Sequence, residues 1–321
     1  MNRLISVAPM LACTDKHLRY FLRLFSKESL LFSEMVSTGA IIYGDRERFL
    51  SFNTIEHPLV LQLGGDNPGD LALCSKYIEE YGYDEVNLNV GCPSSRVQSG
   101  HFGACLMAEP ELVANCVKAM QAAVDIPVSV KTRIGINELN SYQYISDFIE
   151  KMIEAGCSVF YIHARIALLG KYSPKENREK TPINYEAVYQ LKQDFPESQF
   201  IVNGDIISLD AIEQHLDNCD GVMLGRYIYK NPYILAEIEK RFFPETYKHK
   251  SRSEVIREFL PYLEEQLSKG ISLYGIARHL LSFFHGFKGA KLWRRHISEN
   301  GTKKSAAVEI IEDALQFIEE E

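Results

Sequence analysis

The sequence lacks several features that would place it in a specialised class of protein. No apolar run among its 321 residues approaches the roughly 20 residues that span a bilayer, and apolar sequence begins at Leu4 without the ordered regions of a signal peptide. Its seven cysteines are odd in number and never form a Cys-x-x-Cys pair, which argues against a disulfide framework and a zinc site. These absences predict a cytoplasmic protein with reduced thiols, no membrane segment and no bound metal ion.

Basic residues are also fewer than acidic ones, and the formal net charge is -8 at pH 7. A chain of this sign has no general affinity for nucleic acid, so a polynucleotide partner would have to be met by a local basic patch. Residues 278–304 carry seven lysines and arginines against one acid. Among them Lys291, Arg294 and Arg295 stand three and four positions apart, which on a helix places them on one face that could follow phosphates. An ordinary solvated helix face explains the same charges equally well.

What the chain does have is ample apolar material and a regular alternation of elements. Hydrophobic residues make up 46% of it, enough for a sizeable core. Segments with apolar residues at spacings of three and four predict amphipathic helices over 70–81, 110–124, 142–155, 185–194 and 209–216. Short β-branched runs predict eight strands, at Ile5–Met10, Leu30–Met35, Leu59–Leu63, Glu85–Val90, Val128–Thr132, Val159–His163, Phe200–Asn203 and Gly221–Leu224.

Alternating strands and helices predict an α/β fold with a parallel sheet. Eight such units in about 240 residues match a (β/α)8 TIM barrel, whose sites lie at the C-terminal ends of the strands. An open doubly wound sheet is the less favoured alternative, since no Gly-x-Gly-x-x-Gly follows the first strand. After Pro244 only helical runs occur, at 253–269, 273–285, 290–298 and 304–319. We therefore expect a barrel domain at residues 1–245 and an all-helical C-terminal domain at residues 246–321.

Cys92 follows the fourth predicted strand and is the first candidate for chemistry. Asn87, Asn89 and Gly91 alternate with apolar residues until Gly91-Cys92-Pro93 stops the strand and turns the chain outward. The turn would hold the thiol where a ligand can reach it, as a candidate proton donor. Taken alone, a cysteine in this composition is more often a small buried hydrophobe.

Other polar residues gather at the predicted C-terminal strand ends, which a barrel would collect around one mouth. A glycine-bearing turn follows both strand seven and strand eight, an arrangement with which barrels bind phosphate through backbone amides. A phosphorylated cofactor is therefore expected. In strand order the residues are Pro9 and Met10, Gln62 with Gly64-Gly65, Asn89 and Cys92, Lys131 and Arg133, His163 and Arg165, Asn203-Gly204-Asp205, and Gly225-Arg226.

Together these residues resemble the tRNA-dihydrouridine synthase family over essentially the whole chain. The loops at 96–100, 173–179 and 293–300 look like those of the family's bacterial A subfamily, which modifies D-loop uridines near tRNA position 20. The motifs that carry the resemblance are Ala8-Pro9-Met10 with Thr14-Asp15, Glu34-Met35-Val36, Leu61-Gln62-Leu63-Gly64-Gly65, Asn87 to Pro93, Val130-Lys131-Thr132-Arg133-Ile134-Gly135, His163-Ala164-Arg165, Asn203-Gly204-Asp205-Ile206 and Gly225-Arg226.

The resemblance implies that FMN binds in the barrel mouth. Pro9 and Met10 would support the isoalloxazine, and Gln62 would hydrogen-bond its polar edge. Lys131 would lie near N1 and O2, where a cation stabilises the negative charge that reduction introduces. A carboxylate at Asp205 is unfavourable beside a phosphate unless it points away or pairs with Arg226. The other cofactor contacts implied are His163 and, around the phosphate, the amides of Asn203 to Asp205 and of Gly225-Arg226.

The implied reaction is reduction of the uracil C5–C6 double bond, with a hydride passing from flavin N5 to C6 and a proton from Cys92 to C5. General acid catalysis needs a protonated thiol, the ordinary state of cysteine at neutral pH. NADPH is the reductant by family analogy, and the enzyme is expected to act as a monomer. The target base must leave its stack, so tRNA has to be held elsewhere. The RNA contacts implied are Asn89 at the uracil edge, with Lys175, Arg178, Arg294 and Arg295.

Three other functions share part of this pattern. A dihydroorotate dehydrogenase-like FMN barrel acting on a free pyrimidine has the same strand-end chemistry, but it does not need a basic helical domain. A flavin-bound RNA-binding protein would have the basic face without depending on Cys92. A Schiff-base aldolase would use Lys131 as its nucleophile and would carry no flavin.

Overall fold

The computed structural model describes residues 1–170, 172–173 and 175–319. Eight parallel strands pair in sequence order, and β8 pairs with β1 to close the barrel. This confirms the predicted TIM barrel, because all eight predicted strands occur within a few residues of their predicted bounds. The strands are β1 Ile5–Val7, β2 Leu30–Ser37, β3 Leu59–Gly64, β4 Glu85–Val90, β5 Val128–Arg133, β6 Val159–His163, β7 Gln199–Asn203 and β8 Gly221–Leu224.

Both faces of the strands are buried, which explains their β-branched runs. Along β4 the residues Val86, Leu88 and Val90 are fully buried and alternate with polar ones. The barrel interior contains a cluster of buried apolar side chains, with Met10 packed against it. Its members are Ala8, Leu30, Phe32, Val60, Val159, Tyr161, Ile201 and Met223.

Helices follow most strands, and local sequence explains where several begin. Asn67 caps α4 through its side chain, with Pro68 at the first helical position. The helices are α1 Lys16–Arg23, α2 Thr38–Tyr43, α3 Arg46–Leu50, α4 Pro68–Glu80, α5 Ser95–Ser99, α6 Pro110–Gln121, α7 Tyr142–Glu154, α8 Glu176–Glu179, α9 Glu186–Asp194, α10 Leu209–Leu216, α11 Arg226–Lys230, α12 Ile234–Phe242, α13 Arg252–Ser268, α14 Leu273–Ala277, α15 Ala290–Asn300 and α16 Glu309–Leu315, with 3₁₀ turns at Thr54–Glu56, Gly103–Ala108 and Arg278–Leu280.

The chain divides into two compact units. The barrel unit comprises Met1–Leu11 and Leu30–Gly225, and the helical unit comprises Ala12–Ser29 and the chain from Arg226 onward. The division at Gly225 precedes the predicted boundary between residues 245 and 246, and α1 belongs to the helical unit. The assignment of functional domains to residues 1–245 and 246–321 stays a prediction, and its last two residues lie outside the described part of the chain.

Aromatic side chains form much of the core of the helical unit. The ring of Phe21 on α1 packs edge to face against Phe259 and Phe283, at centroid distances of 5.1 and 4.8 Å. The prediction of one helix over 273–285 is wrong beyond Leu280, where the chain continues as turns. The carbonyl oxygen of Leu280 accepts a hydrogen bond from the Trp293 indole at 3.0 Å, so tertiary contacts take up backbone groups that a longer helix would use. No helix in the described residues is both long and apolar enough to cross a membrane.

Candidate active site

Closure of the barrel brings the predicted strand-end residues to one mouth. In the strand register Asn89 lies beside Lys131, and His163 lies beside both Arg133 and Asn203. Four neighbouring strands therefore place polar side chains side by side. Sequence order alone could not show this adjacency, because these residues are far apart along the chain.

Cys92 lies on a turn that two side chains hold in place. The carboxamide oxygen of Asn89 accepts hydrogen bonds from the backbone amides of Gly91, at 3.2 Å, and Cys92, at 3.0 Å. Arg133 donates from Nε to the carbonyl oxygen of Gly91 at 2.9 Å. The Cys92 thiol is half-buried and lies 3.6 Å from the hydroxyl of Ser94. Cys92 is therefore a half-buried residue on this turn and is not a fully buried structural cysteine.

Gly103 packs the following 3₁₀ turn closely against the cysteine. Its φ of +80° lies in the left-handed region, and a Cβ at this position would come within 2.7 Å of the Cys92 carbonyl oxygen and 2.5 Å of Val97 Cγ1. The same carbonyl accepts a hydrogen bond from the amide of Ala104 at 2.9 Å. Only glycine fits here without displacing the turn.

Lys131 is a half-buried cation on β5. Its ammonium donates to the Oδ1 of Asn203 at 3.1 Å, and the Nδ2 of Asn203 donates to the carbonyl of Met223 at 2.7 Å. Burial lowers the pKa of Lys131 to about 7; the charge of Arg133 lowers it further, while Cys92 acts in the opposite direction. A negatively charged group beside this amine would raise the pKa of Lys131 and so favour its protonated form.

Arginines gather next to the same turn. Burial lowers the pKa of Arg133 to about 10; Cys92 opposes that shift, and the charges of Arg165 and Arg178 add to it. Arg165 is buried, and its Nε has no hydrogen-bond partner among the described residues. Its other nitrogens bind the carbonyl of Thr181 and the carboxylate of Asp205. The charges of these arginines act on one another, and such a concentration of positive charge suits an anionic ligand.

The turn after β7, the predicted phosphate site, contains two consecutive residues with positive φ. Gly204 is buried with a φ of +134°, and Asp205 also has a positive φ, of +45°. The carboxylate of Asp205 forms an ion pair with Arg165, a different cation from the Arg226 named in the expectation. The carbonyl of Gly204 accepts a hydrogen bond from Tyr185 at 2.7 Å.

The remaining cofactor candidates lie around the same strand ends. Pro9 and Met10 are half-buried beyond β1, and His163 is half-buried at the end of β6. Gly225 follows β8, and its chain neighbours apart, no atom of the described residues lies within 4 Å of where its Cβ would be. Arg226 is the exposed first residue of α11 and belongs to the helical unit.

Gln62 and Asn89 are buried, and their carboxamides bind each other. The Nδ2 of Asn89 donates to the Oε1 of Gln62 at 2.8 Å, and the Nε2 of Gln62 donates to the Oδ1 of Asn87 at 2.8 Å. Contacts of Gln62 with a flavin and of Asn89 with a base stay predictions. The alternation of Glu85, Asn87 and Asn89 along β4 is the signal that could have revealed this buried chain of hydrogen bonds from the sequence.

The predicted RNA contacts fall in both units. Lys175 is exposed and lies 3.7 Å from Glu179, and Arg178 is half-buried on α8. Pro174, in the subfamily loop at 173–179, lies outside the described residues. Arg294 and Arg295 are exposed on α15. In the described part of the chain, no group of three or more His, Cys, Asp or Glu residues could hold a metal ion.

Comparison with known proteins decides the family. A family model described as dihydrouridine synthase matches residues 6–319. A protein of Vibrio cholerae named tRNA-dihydrouridine(20/20a) synthase is 55% identical over 315 residues, covering 98% of this chain and 96% of its own. A protein of the same name from Synechocystis is 52% identical over 312 residues, covering 97% and 93%. The chain belongs to the dihydrouridine synthase family.

These matches confirm the prediction of the family from the strand-end motifs. They also confirm the prediction that the protein is an enzyme of the oxidoreductase class. Neither the aldolase nor the free-pyrimidine oxidoreductase is supported by these relatives. A solved structure titled as a 2-naphthoyl-CoA reductase complex resembles the chain with a TM-score of 0.57 at 10% identity, covering 74% of this chain and 50% of its own. That likeness concerns the fold alone.

Proposed function

We propose that this family member reduces the C5–C6 double bond of D-loop uridines at tRNA positions 20 and 20a, with bound FMN and with NADPH as reductant. The observation that carries the proposal is the Cys92 turn, where Asn89 and Arg133 bind the backbone around a half-buried cysteine and Lys131 lies close enough for Cys92 to affect its pKa. The names of relatives about half identical over nearly the whole chain support the substrate and its positions.

The described residues fit an anionic flavin cofactor. The ammonium of Lys131 would regain its charge beside an anion, and the buried Nε of Arg165 has an unused hydrogen. Open space next to Gly225 leaves room for a ligand at the end of β8. The residues proposed to hold FMN are Pro9, Met10, Gln62, Lys131 and His163 around the ring system and Asn203, Gly204, Asp205, Gly225 and Arg226 around the phosphate.

The protein's own part in the chemistry is to deliver a proton. FMN, held by the residues proposed above, would supply the hydride chemistry at C6. Cys92 gives its thiol proton to C5, so that the S–H bond breaks as the C5–H bond forms, and the thiolate recovers a proton from water. Asn89 and Arg133 hold the turn, so the sulfur does not have to be reoriented at the moment of transfer.

The tRNA must be held while one base is turned out of its stack. Only one of the two Nδ2 hydrogens of Asn89 is used by Gln62, so the second could meet the uracil edge. Exposed cations at Lys175, Arg294 and Arg295, together with Arg178, are proposed to contact phosphates. All seven cysteines are free, which accords with a reducing compartment, and we place the enzyme in the cytoplasm as a monomer.

The test compares wild type with Cys92→Ala and with Cys105→Ala, a control that removes another half-buried thiol. Each protein is purified, its visible spectrum is recorded, and dihydrouridine is mapped in tRNA that lacks the modification, with NADPH present. We expect a flavin spectrum in all three and product at positions 20 and 20a that is lost only in Cys92→Ala.

Other outcomes point to different functions. Flavin without product in wild type would contradict the proposal and favour an oxidoreductase acting on a different substrate. Full tRNA binding and an unchanged cellular role in Cys92→Ala would favour an RNA-binding protein whose chemistry is secondary.

A further inference from the structure

A continuous line of hydrogen bonds runs through the barrel interior, from the Cys92 turn toward the opposite end of β4. Asn89 donates to Gln62 at 2.8 Å, and Gln62 donates to Asn87 at 2.8 Å. Asn87 donates to the hydroxyl of Ser129 at 2.8 Å, and Ser129 donates to the Oε1 of Glu85 at 2.5 Å. The three β4 members are two residues apart, so the line spans about 13 Å at roughly 3.3 Å per residue.

Every bond in this line points the same way, and the groups at its two ends require that direction. At the mouth, the amides of Gly91 and Cys92 can only donate, so Asn89 must offer its oxygen to them. The Asn89 nitrogen therefore faces Gln62. Gln62 accepts through its Oε1 and donates through its Nε2 to Asn87, so the direction of donation continues along the line. At the far end the line meets a carboxylate, which when ionised can only accept. A carboxamide flipped anywhere in between would place two donors, or two acceptors, face to face.

Glu85 is held as an acceptor by its surroundings. Its Oε2 accepts from Arg3, at 2.8 Å from Nε and 2.7 Å from Nη2, and its Oε1 accepts from the hydroxyl of Tyr161 at 3.2 Å as well as from Ser129. Burial raises the pKa of Glu85, while Arg3, Ser129 and Tyr161 oppose that shift. Arg3 can only donate, so the Oε2 that it binds carries no proton in this geometry, while the hydroxyls of Tyr161 and Ser129 donate to Oε1.

We propose that Glu85 is a positioning residue for proton delivery by Cys92: it sets the direction of the interior hydrogen-bond line and so presents the Asn89 oxygen to the Cys92 turn. The catalytic part of this inference rests on the proposed function. The claim that Glu85 helps to hold the Cys92 turn in place is independent of the proposed function, because it concerns only the position of the turn. Glu85 lies at the other end of the barrel interior from the thiol and touches neither the reacting atoms nor the turn.

The main variant is Glu85→Gln, which replaces an acceptor by a group that also donates. Ser129→Ala interrupts the line without removing the Glu85–Arg3 ion pair. Ser75→Ala is the matched control, since Ser75 is buried and its hydroxyl bonds only within α4, to the carbonyl of Leu71 at 2.8 Å. The alkylation rate of Cys92 by iodoacetamide, followed on its peptide by mass spectrometry, reports the turn directly. Steady-state kinetics on unmodified tRNA report catalysis.

We expect Glu85→Gln and Ser129→Ala to change the Cys92 alkylation rate severalfold and to lower kcat about 10-fold to 100-fold with little change in KM for tRNA, as misplacement of a reacting group does. Ser75→Ala should match wild type. Unchanged alkylation and kcat in a folded Glu85→Gln, or in Ser129→Ala if Glu85→Gln does not fold, would overturn the proposal. Wild type without dihydrouridine activity would instead refute the proposed function, and the alkylation rates would still decide whether the line positions Cys92.

Discussion

Arg133 donates from Nε to the carbonyl oxygen of Gly91 at 2.9 Å and so ties the end of β5 to the turn that carries Cys92. The same guanidinium donates from Nη1 to the carbonyl of Ile166 at 2.9 Å. One buried side chain therefore fixes two loops at the barrel mouth. Its charge also lowers the pKa of Lys131, so position and electrostatics are linked at this residue.

Replacement of Arg133 by methionine should destabilise the protein. Two part-buried carbonyl oxygens would lose hydrogen bonds from a charged donor, at a cost of about 1–3 kcal/mol each, partly offset by relief of repulsion with Arg165 and Arg178. Urea unfolding measures the effect. Arg96→Met is the control, because Arg96 is exposed on α5. Equal unfolding free energies for the two variants would show that the bonds to the loops contribute nothing.

Gly103→Ala should disturb the Cys92 turn. The new methyl would lie 2.7 Å from the Cys92 carbonyl oxygen and 2.5 Å from Val97 Cγ1, and the backbone would keep a φ that alanine resists. We expect a loss of about 1–3 kcal/mol in unfolding free energy and slower dihydrouridine formation. Gly170→Ala is a matched control, because Gly170 also has a positive φ, and among the described residues other than its chain neighbours no atom lies within 4 Å of its Cβ position. If both variants behave alike, φ strain alone explains the result.

The stability of the flavin-free protein should depend on Lys131 between pH 7 and 10.5. The folded pKa of about 7 lies below the ordinary 10.5, so in that window the unfolded state binds more protons than the folded state. Stability contributed by this group is therefore lost as pH falls from 10.5 to 7. The melting temperature of Lys131→Met should therefore rise relative to that of wild type as the pH is lowered from 10.5 to 7. A difference that stays constant with pH would contradict the lowered pKa.

Asp15 should govern acid stability in the helical unit. It caps α1 through its Oδ1, while its Oδ2 accepts from Arg278 at 2.6 Å and His279 at 3.0 Å. Burial favours a higher pKa, but the bond and charge of His279 and the amide of Leu18 outweigh it and lower the pKa from 3.8 to about 2. The resulting stabilisation, about 2 kcal/mol, is present above pH 4 and is lost as pH falls to 2.

Asp15→Asn should therefore unfold more easily than wild type at pH 6, and the difference should shrink toward pH 2. Asp313→Asn is the control, since Asp313 is exposed on α16 of the same unit. Urea midpoints at several pH values measure both. A deficit in Asp15→Asn that does not depend on pH would show that the cap geometry matters and the charge does not.

The basic face of α15 should contribute to tRNA binding. Arg294 and Arg295 are exposed, while Trp293 beside them is buried, so the helix turns its cations to solvent. Reversing both to glutamate should weaken binding and reduce the slope of log affinity against log salt by about one for each phosphate that is no longer bound. Reversal of the exposed Lys76 and Lys118 on the barrel helices is the control of equal charge. Equal salt slopes for both pairs would refute a role for this face.

Much of the fold could be predicted because the pattern is local. The eight strands were predicted from β-branched runs, and β4, β6 and β8 were predicted at their observed bounds. The helix over 273–285 failed because burial of Phe283 and Phe284 and the bond from Trp293 to Leu280 favour turns after residue 280. Local propensity is a weak guide where large side chains must be buried.

The sequence by itself determined the alternation of elements, the place of Cys92 after β4 and the motifs that identify the family. These depend on period and order, which a chain displays without folding. Only the tertiary structure decided that α1 packs with the helical unit, that Asp205 pairs with Arg165, and that the amide of Asn89 is part of a directed line ending at Glu85. Such facts depend on which side chains meet across strands, and although the alternation along β4 marks its polar residues in the sequence, it does not show their partners.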